Sequence, residues 1–200
     1  MAVMAKAPRI ALVIGSFVVG LAVFLGAIFL VTGLSPTPGA ANSTIGGPFH
    51  LVDQDGKPFS NQDMKGKPYL VFFGYTHCPD ICPTTLFEMT QLFRKLGPEA
   101  NKVGALFITV DPARDTQKIM KEYMASFDPH LRALTGDQKA IDQAIRDYRV
   151  YAKKVPEAGG DYSMDHTAIV YLMDKDGRFV APFNMQRGVD AEAAELQNYL

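Results

Sequence analysis

Cysteine is scarce here: 200 residues contain two, Cys78 and Cys82, so any sulfur chemistry runs through a single pair. A lone bridge across so short a loop would contribute only about 2 kcal/mol in the chain-entropy picture. A domain of this length can bury a core without it, so a purely structural disulfide is a weak reading of the pair. Charge is absent from Ile10 to Leu34, 25 positions in a row. Basic clusters, nucleic-acid motifs, internal repeats and low-complexity tracts are also absent. Without Lys6 and Arg9, 18 basic residues face 21 acidic ones, a net charge of −3. That balance is too mild to imply nucleic acid or a lipid surface as a partner.

The uncharged run accounts for the high hydrophobic content of 48%. As a helix rising 1.5 Å per residue it exceeds the roughly 30 Å hydrocarbon core of a bilayer. It is also longer than the apolar region of a signal peptide, about 7–15 residues. Residues 1–34 therefore read as a short N-terminal tip and one uncleaved transmembrane helix. A cleaved signal ending near Gly39-Ala40-Ala41 is the alternative. Lys6 and Arg9 precede the run and no charge follows it until Asp53. The positive-inside rule then puts the N-terminus in the cytoplasm and the remainder outside, in a compartment where disulfides persist. For a bacterial cell this means inner membrane and periplasm. Residues 35–47, rich in Pro, Gly, Ala and Ser, read as a flexible linker, and residues 48–200 as the folded domain.

Within that domain, Phe49–Val52, Asp55-Gly56 and Pro58-Phe59 suggest a small hairpin. The apolar runs 68–75 and 103–110 have the character of strands buried on both faces. Leu86, Met89, Phe93 and Leu96 recur at helical spacing, which predicts a helix over 83–96, with Pro83 suited to its first turn. Helices are also predicted over 115–127, with Asp115 near the start, over 137–148 and over 190–200. Residues 131–134 form a short strand or loop, and 150–155 an edge strand. The run 166–173, the turn Asp174-Lys175-Asp176-Gly177 and 178–183 make a second hairpin. Strands alternating with helices and then a hairpin imply an α/β domain whose mixed sheet is flanked by helices. A cysteine pair between the first buried strand and its helix fits a thioredoxin-like arrangement.

The pair sits in Tyr75-Thr76-His77-Cys78-Pro79-Asp80-Ile81-Cys82-Pro83. Residues i and i+4 of a helical turn share a face, about 6 Å apart along the axis. That separation suits either a disulfide or two thiolates gripping one soft metal ion. The N-terminal end of a helix favours a thiolate, and His77, if protonated and in contact, would add to that. Of the four histidines, His130 in Asp128-Pro129-His130 suggests a surface turn and His50 lies in the first hairpin. His166 stands at a strand end after the polar segment 156–164, read as a mobile loop. Such a histidine can reach a site built on another loop, although taken alone it is more often a hydrogen-bonded structural residue. Two thiolates and one imidazole favour copper, Cu(I) above all, and accept Cu(II) or zinc, zinc wanting a fourth ligand or water. The nine methionines form no cluster and read mostly as core filler, Met164 being the one candidate neighbour of the site.

Three segments carry a resemblance: Gly74 to Thr85 around the cysteines, Val110-Asp111-Pro112-Ala113-Arg114-Asp115-Thr116, and Asp165-His166-Thr167 with the strand after it. In order and spacing the chain resembles the SCO/SenC family of membrane-anchored thioredoxin-fold proteins that help assemble cytochrome c oxidase. The resemblance implies that Cys78, Cys82 and His166 are copper ligands. It implies a metallochaperone that takes copper from an upstream donor and passes it to the binuclear centre of oxidase subunit II. The alternative is a thiol–disulfide oxidoreductase that reduces the subunit II cysteines before metallation, using Cys78 and Cys82 as a redox-active pair and drawing on a thiol reductant. Asp111 and Asp115 match an acidic segment of the family, with helix capping and turn formation as their plain structural role. A peroxidase of peroxiredoxin type finds only a loose echo in Thr76, two residues before Cys78.

Overall fold

The computed structural model describes residues 14–24, 26–27 and 45–200. The chain divides into two compact units, one up to Asn42 and one from Ser43 on. In the first, residues 14–24 and 26–27 are helical. The rest of the uncharged run and most of the expected linker lie outside the described residues. Among the described residues, no helix is long and apolar enough to cross a membrane.

The second unit is built on a seven-stranded mixed sheet. Its strands are β1 (His50–Asp53), β2 (Pro58–Ser60), β3 (Tyr69–Gly74), β4 (Gly104–Thr109), β5 (Leu131–Thr135), β8 (Val170–Met173) and β9 (Phe179–Phe183), in the order β2-β1-β5-β4-β3-β8-β9. β3, β4 and β5 run parallel, and the outer pairings are antiparallel. Every residue of β3 and β4 is buried, as expected of strands covered on both faces. Alternation assigns the faces. Phe72 stacks on Phe107, which meets Tyr123, while Phe73 packs on Tyr148 and Tyr171 on the opposite side.

Four α-helices pack with this sheet among the described residues: α1 (Ile81–Leu96), α2 (Gln117–Met124), α3 (Gln138–Asp147) and α4 (Val189–Gln197). α1 buries Cys82, Leu86, Met89, Phe93 and Leu96, one apolar stripe at helical spacing. Thr116 and Asp137 cap α2 and α3 by accepting the backbone N–H of Ile119 and Ala140. Asp115, expected near the start of α2, stands outside the helix and turns its side chain elsewhere.

Two further departures concern the region around His166. The expected edge strand becomes β6 (Ala152–Pro156), which pairs with β7 (Tyr162–His166) in a separate two-stranded hairpin. Its exposed Lys153, Lys154 and Val155 leave no apolar face to place against the main sheet. The single run expected over 166–173 is split, since His166 ends β7 and Val170 begins β8. The segment 156–164 shrinks to a turn over 157–161, because Tyr162, Ser163 and Met164 are already paired with β6. Residues 131–134, expected as a short strand or loop, belong to β5, the strand between β1 and β4.

Candidate metal centre

β3 delivers the chain to Gly74 at the end of the sheet, and α1 starts at Ile81. The cysteines therefore occupy the turn between a buried strand and its helix. Cys78 closes that turn by donating its N–H to the Tyr75 carbonyl at 3.3 Å. Cys82 lies in the first turn of α1, where backbone N–H groups have no partner inside the helix. Its N–H is donated to Cys78 Sγ at 3.4 Å. Cys82 is fully buried, Cys78 8% exposed, and both are free thiols. Burial pushes the Cys82 thiol up, out of the usual cysteine range, so without a metal it keeps its proton.

His166 reaches this turn from the end of β7. Its Nε2 lies 3.5 Å from Cys82 Sγ, and its Nδ1 lies 3.1 Å from the Thr167 carbonyl. A carbonyl only accepts, so Nδ1 carries the proton and Nε2 keeps the lone pair that a metal would use. Tyr75 and Phe72 stand edge-on to the ring at 5.7 and 6.4 Å. Burial lowers the His166 pKa below the usual histidine value, against the Thr167 carbonyl and Asp165, which raise it. One atom from each of Cys78, Cys82 and His166 lies within 4.8 Å of the other two. Two buried sulfurs and one half-buried imidazole nitrogen, pre-oriented, make a soft set of three. Among the described residues no further histidine, cysteine or carboxylate joins them, and zinc would want a fourth ligand.

The other candidates fall elsewhere. His77 is half exposed, and its Nδ1 meets the Thr76 hydroxyl at 3.1 Å. His130 is held by Asp128 and stacks on Phe93. His50 opens β1 and is exposed. Met164 is buried on β7, two residues before His166 and so on the same side of the strand.

Asp111 and Asp115 do more than shape a turn. Asp115, fully buried, accepts the Thr76 hydroxyl at 2.6 Å, the Thr76 N–H at 3.1 Å and the Thr109 hydroxyl at 2.6 Å. It ties the cysteine turn to the end of β4. Burial raises its pKa, and these hydrogen bonds oppose the rise. Asp111 accepts Arg114 Nε at 2.6 Å and the Tyr162 hydroxyl at 3.0 Å. Arg114 continues to the Tyr162 carbonyl at 2.8 Å and to Asp161 at 3.2 Å, with its guanidinium 3.7 Å over the Tyr162 ring. Arg114 thus fastens the turn end of the β6–β7 hairpin to the 111–115 loop. Sequence reasoning noticed the acidic pair and missed Arg114 between them, because its partners lie 47 and 48 residues away.

This strand–turn–helix site also has relatives. The SCO1/SenC family profile matches residues 37–200. The chain belongs to the SCO1/SenC family. Among solved Sco structures, Bradyrhizobium japonicum ScoI with copper bound is 60% identical, with a TM-score of 0.77 over 78% of this chain and 99% of that one. BsSco, of the Sco family of cytochrome c oxidase assembly proteins and described with a disulfide switch, is 27% identical, with a TM-score of 0.62 over 80% of this chain and 96% of that one. The mitochondrial SCO2 homolog of Danio rerio is 40% identical over 157 residues, 77% of this chain and 56% of that protein. The chain therefore spans little more than half of that relative. The fold is the mixed α/β, thioredoxin-like Sco fold.

Proposed function

We propose that this protein is a copper metallochaperone holding one copper ion through Cys78 Sγ, Cys82 Sγ and His166 Nε2. The convergence of those three atoms within 4.8 Å of one another carries the reading. The donor set suits a soft, low-coordinate cation, and the copper-bound ScoI at 60% identity supports copper. Copper is the cargo. It arrives from an upstream donor and leaves for the binuclear copper centre of cytochrome c oxidase subunit II, an acceptor chosen by family resemblance and by the assembly role stated for BsSco. Loading replaces the Cys82 proton and, where Cys78 is still a thiol, its proton too, so binding releases protons and weakens on acidification. Handover proceeds as acceptor ligands replace these three one at a time.

A redox role for the same pair is the second reading, favoured by the adjacency of the two sulfurs. Cys78, the more exposed, attacks a disulfide of subunit II and expels one partner thiolate. Cys82 then attacks the mixed disulfide and releases the second. This chain is oxidised to the Cys78–Cys82 disulfide, the partner gains two electrons and two thiols, and an external thiol reductant resets the pair. The uncharged run 10–34 supports a single-pass inner-membrane anchor with the domain on the periplasmic side.

Anaerobic copper titration of the reduced chain, followed by incubation with apo subunit II, tests capture and delivery together. One ion per chain is expected, lost in Cys78→Ser or Cys82→Ser and weakened in His166→Ala. Unchanged tight binding in any of the three removes that residue from the site. Reduction of oxidised subunit II that survives His166→Ala while delivery fails would assign both roles to one pair.

A further inference from the structure

Away from the cysteines, α1, α4 and the loop before α4 border an open concavity of about 450 Å³. Glu88, Gln91, Met185, Gln186, Val189 and Glu192 line it. That volume falls within the roughly 300–1,000 Å³ of small-ligand pockets. Glu192 is 2% exposed, and its Oε1 is buried without a hydrogen-bond partner. The peptide groups of Arg187 and Gly188 and the Arg187 charge favour its ionised form, against burial. A buried carboxylate oxygen left empty is costly and needs an explanation. Glu88, from the facing helix, adds a second carboxyl to the same walls, and burial and the Glu192 charge both raise its pKa. Burial raises that of Glu192 as well. The neighbouring cations are engaged: Arg187 pairs with Glu195 and lies over Phe183, and Lys95 pairs with Asp190. No lysine or arginine lines the pocket itself.

We infer that this pocket binds an organic cation, an alkylammonium or alkylguanidinium group whose charged head meets Glu192 and Glu88 and whose methylene stem lies along Met185 and Val189. The two carboxylates supply acceptors for several N–H donors. The apolar wall explains the preference for a stem over a bare ion. The group can come from a lysine or arginine side chain of a protein partner or from a free polyamine. Cys82 and Glu88 share α1, six residues and about 9 Å apart along its axis, so a protein partner held here would stand near the thiol site.

The test uses the reduced full chain in detergent micelles, with ¹³C-methyl-labelled methionine, following the Met185 methyl resonance. The probes are agmatine, putrescine and the peptide acetyl-Ala-Arg-Ala-amide, with propylurea as neutral control and magnesium chloride as inorganic control. A saturable shift with the organic cations is expected, absent with propylurea, at least tenfold weaker in Glu192→Gln and weaker in Glu88→Gln. Both variants should keep one copper per chain, which shows that they fold and separates this inference from the copper reading. Tighter binding of the peptide than of agmatine identifies a protein side chain as the source, and the reverse identifies a free amine. No saturable shift with any organic cation, an equal shift in Glu192→Gln, or a response to magnesium alone overturns the inference.

Discussion

At position 74 the packing accepts hydrogen and nothing larger. A Cβ there would stand 2.6 Å from Cys82 Sγ and 2.8 Å from Phe107 Cε2, inside contact distance for both. Gly74→Ala must therefore push the sulfur or the ring aside. The expected cost is about 1–3 kcal/mol, as for other overpacked cores, with weaker copper binding because Cys82 moves. Urea midpoints and copper titration of the variant measure the two effects, and unchanged values in both would deny that Gly74 shapes the site. His166 has its own signature. Burial holds its folded pKa below the ordinary 6.5. As pH falls through about 6.5, the unfolded chain takes up this proton before the folded one does, so metal-free stability should fall with acidification from there. His166→Gln removes that slope, because glutamine does not titrate. Urea denaturation of both proteins at pH 7.5, 6.5 and 5.5 makes the comparison, and parallel curves would count against the buried neutral imidazole.

Two elements built from distant parts of the chain meet at the site, and a third holds them in register. The turn before α1 carries the sulfurs, the β6–β7 hairpin carries the imidazole, and the 111–115 loop grips the first through Asp115 and the second through Arg114. Arg114→Ala should release the hairpin while leaving the cysteine turn intact. Copper affinity is expected to fall about 10–100-fold, the scale of lost orienting contacts around metal ligands, with one ion per chain still bound at saturation. Amide exchange in Tyr162–His166 should quicken while β3 keeps its protection, whereas a role confined to surface charge would leave exchange unchanged. Much of this arrangement was legible in the sequence. Runs of apolar residues gave β3 and β4, helical spacing gave α1, and the Asp174–Gly177 turn announced the pairing of β8 with β9. The detachment of β6 and β7 was not legible. Residues 150–155 read as an edge strand of the main sheet and 156–164 as a mobile loop, and only the exposed lysines of β6 hint that the pair stands apart. His166 was found through the resemblance, since strand-end position alone does not separate a ligand from a structural histidine. Asp115 was misread as a helix-start residue because sequence proximity to α2 says nothing of Thr76, 39 residues earlier.

On the scale of the molecule, the copper ligands join segments that nothing covalent holds together, so loading the site should stabilise the whole domain. Cys78 and Cys82 belong to one turn, but His166 is 84 residues beyond Cys82, and a metal that binds all three closes that long loop in the folded state. A ligand that binds the folded state alone adds about 2.7 kcal/mol when its free concentration is one hundred times Kd. For a chain of this size each kcal/mol moves Tm by roughly 2–4 °C, so the reduced protein should gain about 5–10 °C on anaerobic Cu(I) loading. The gain should shrink as pH falls, because protons compete for the same sulfurs and nitrogen, and a strong Cu(I) chelator should reverse it. His166→Ala separates two kinds of binding. If copper rests on the sulfurs alone, this variant gains as much as the parent, because both sulfurs lie in a single turn. If the imidazole closes the loop, the variant binds more weakly and gains markedly less at the same free copper. Scanning calorimetry of the two proteins, each with and without Cu(I), reads this difference directly, and equal gains would reduce His166 to a neighbour of the site.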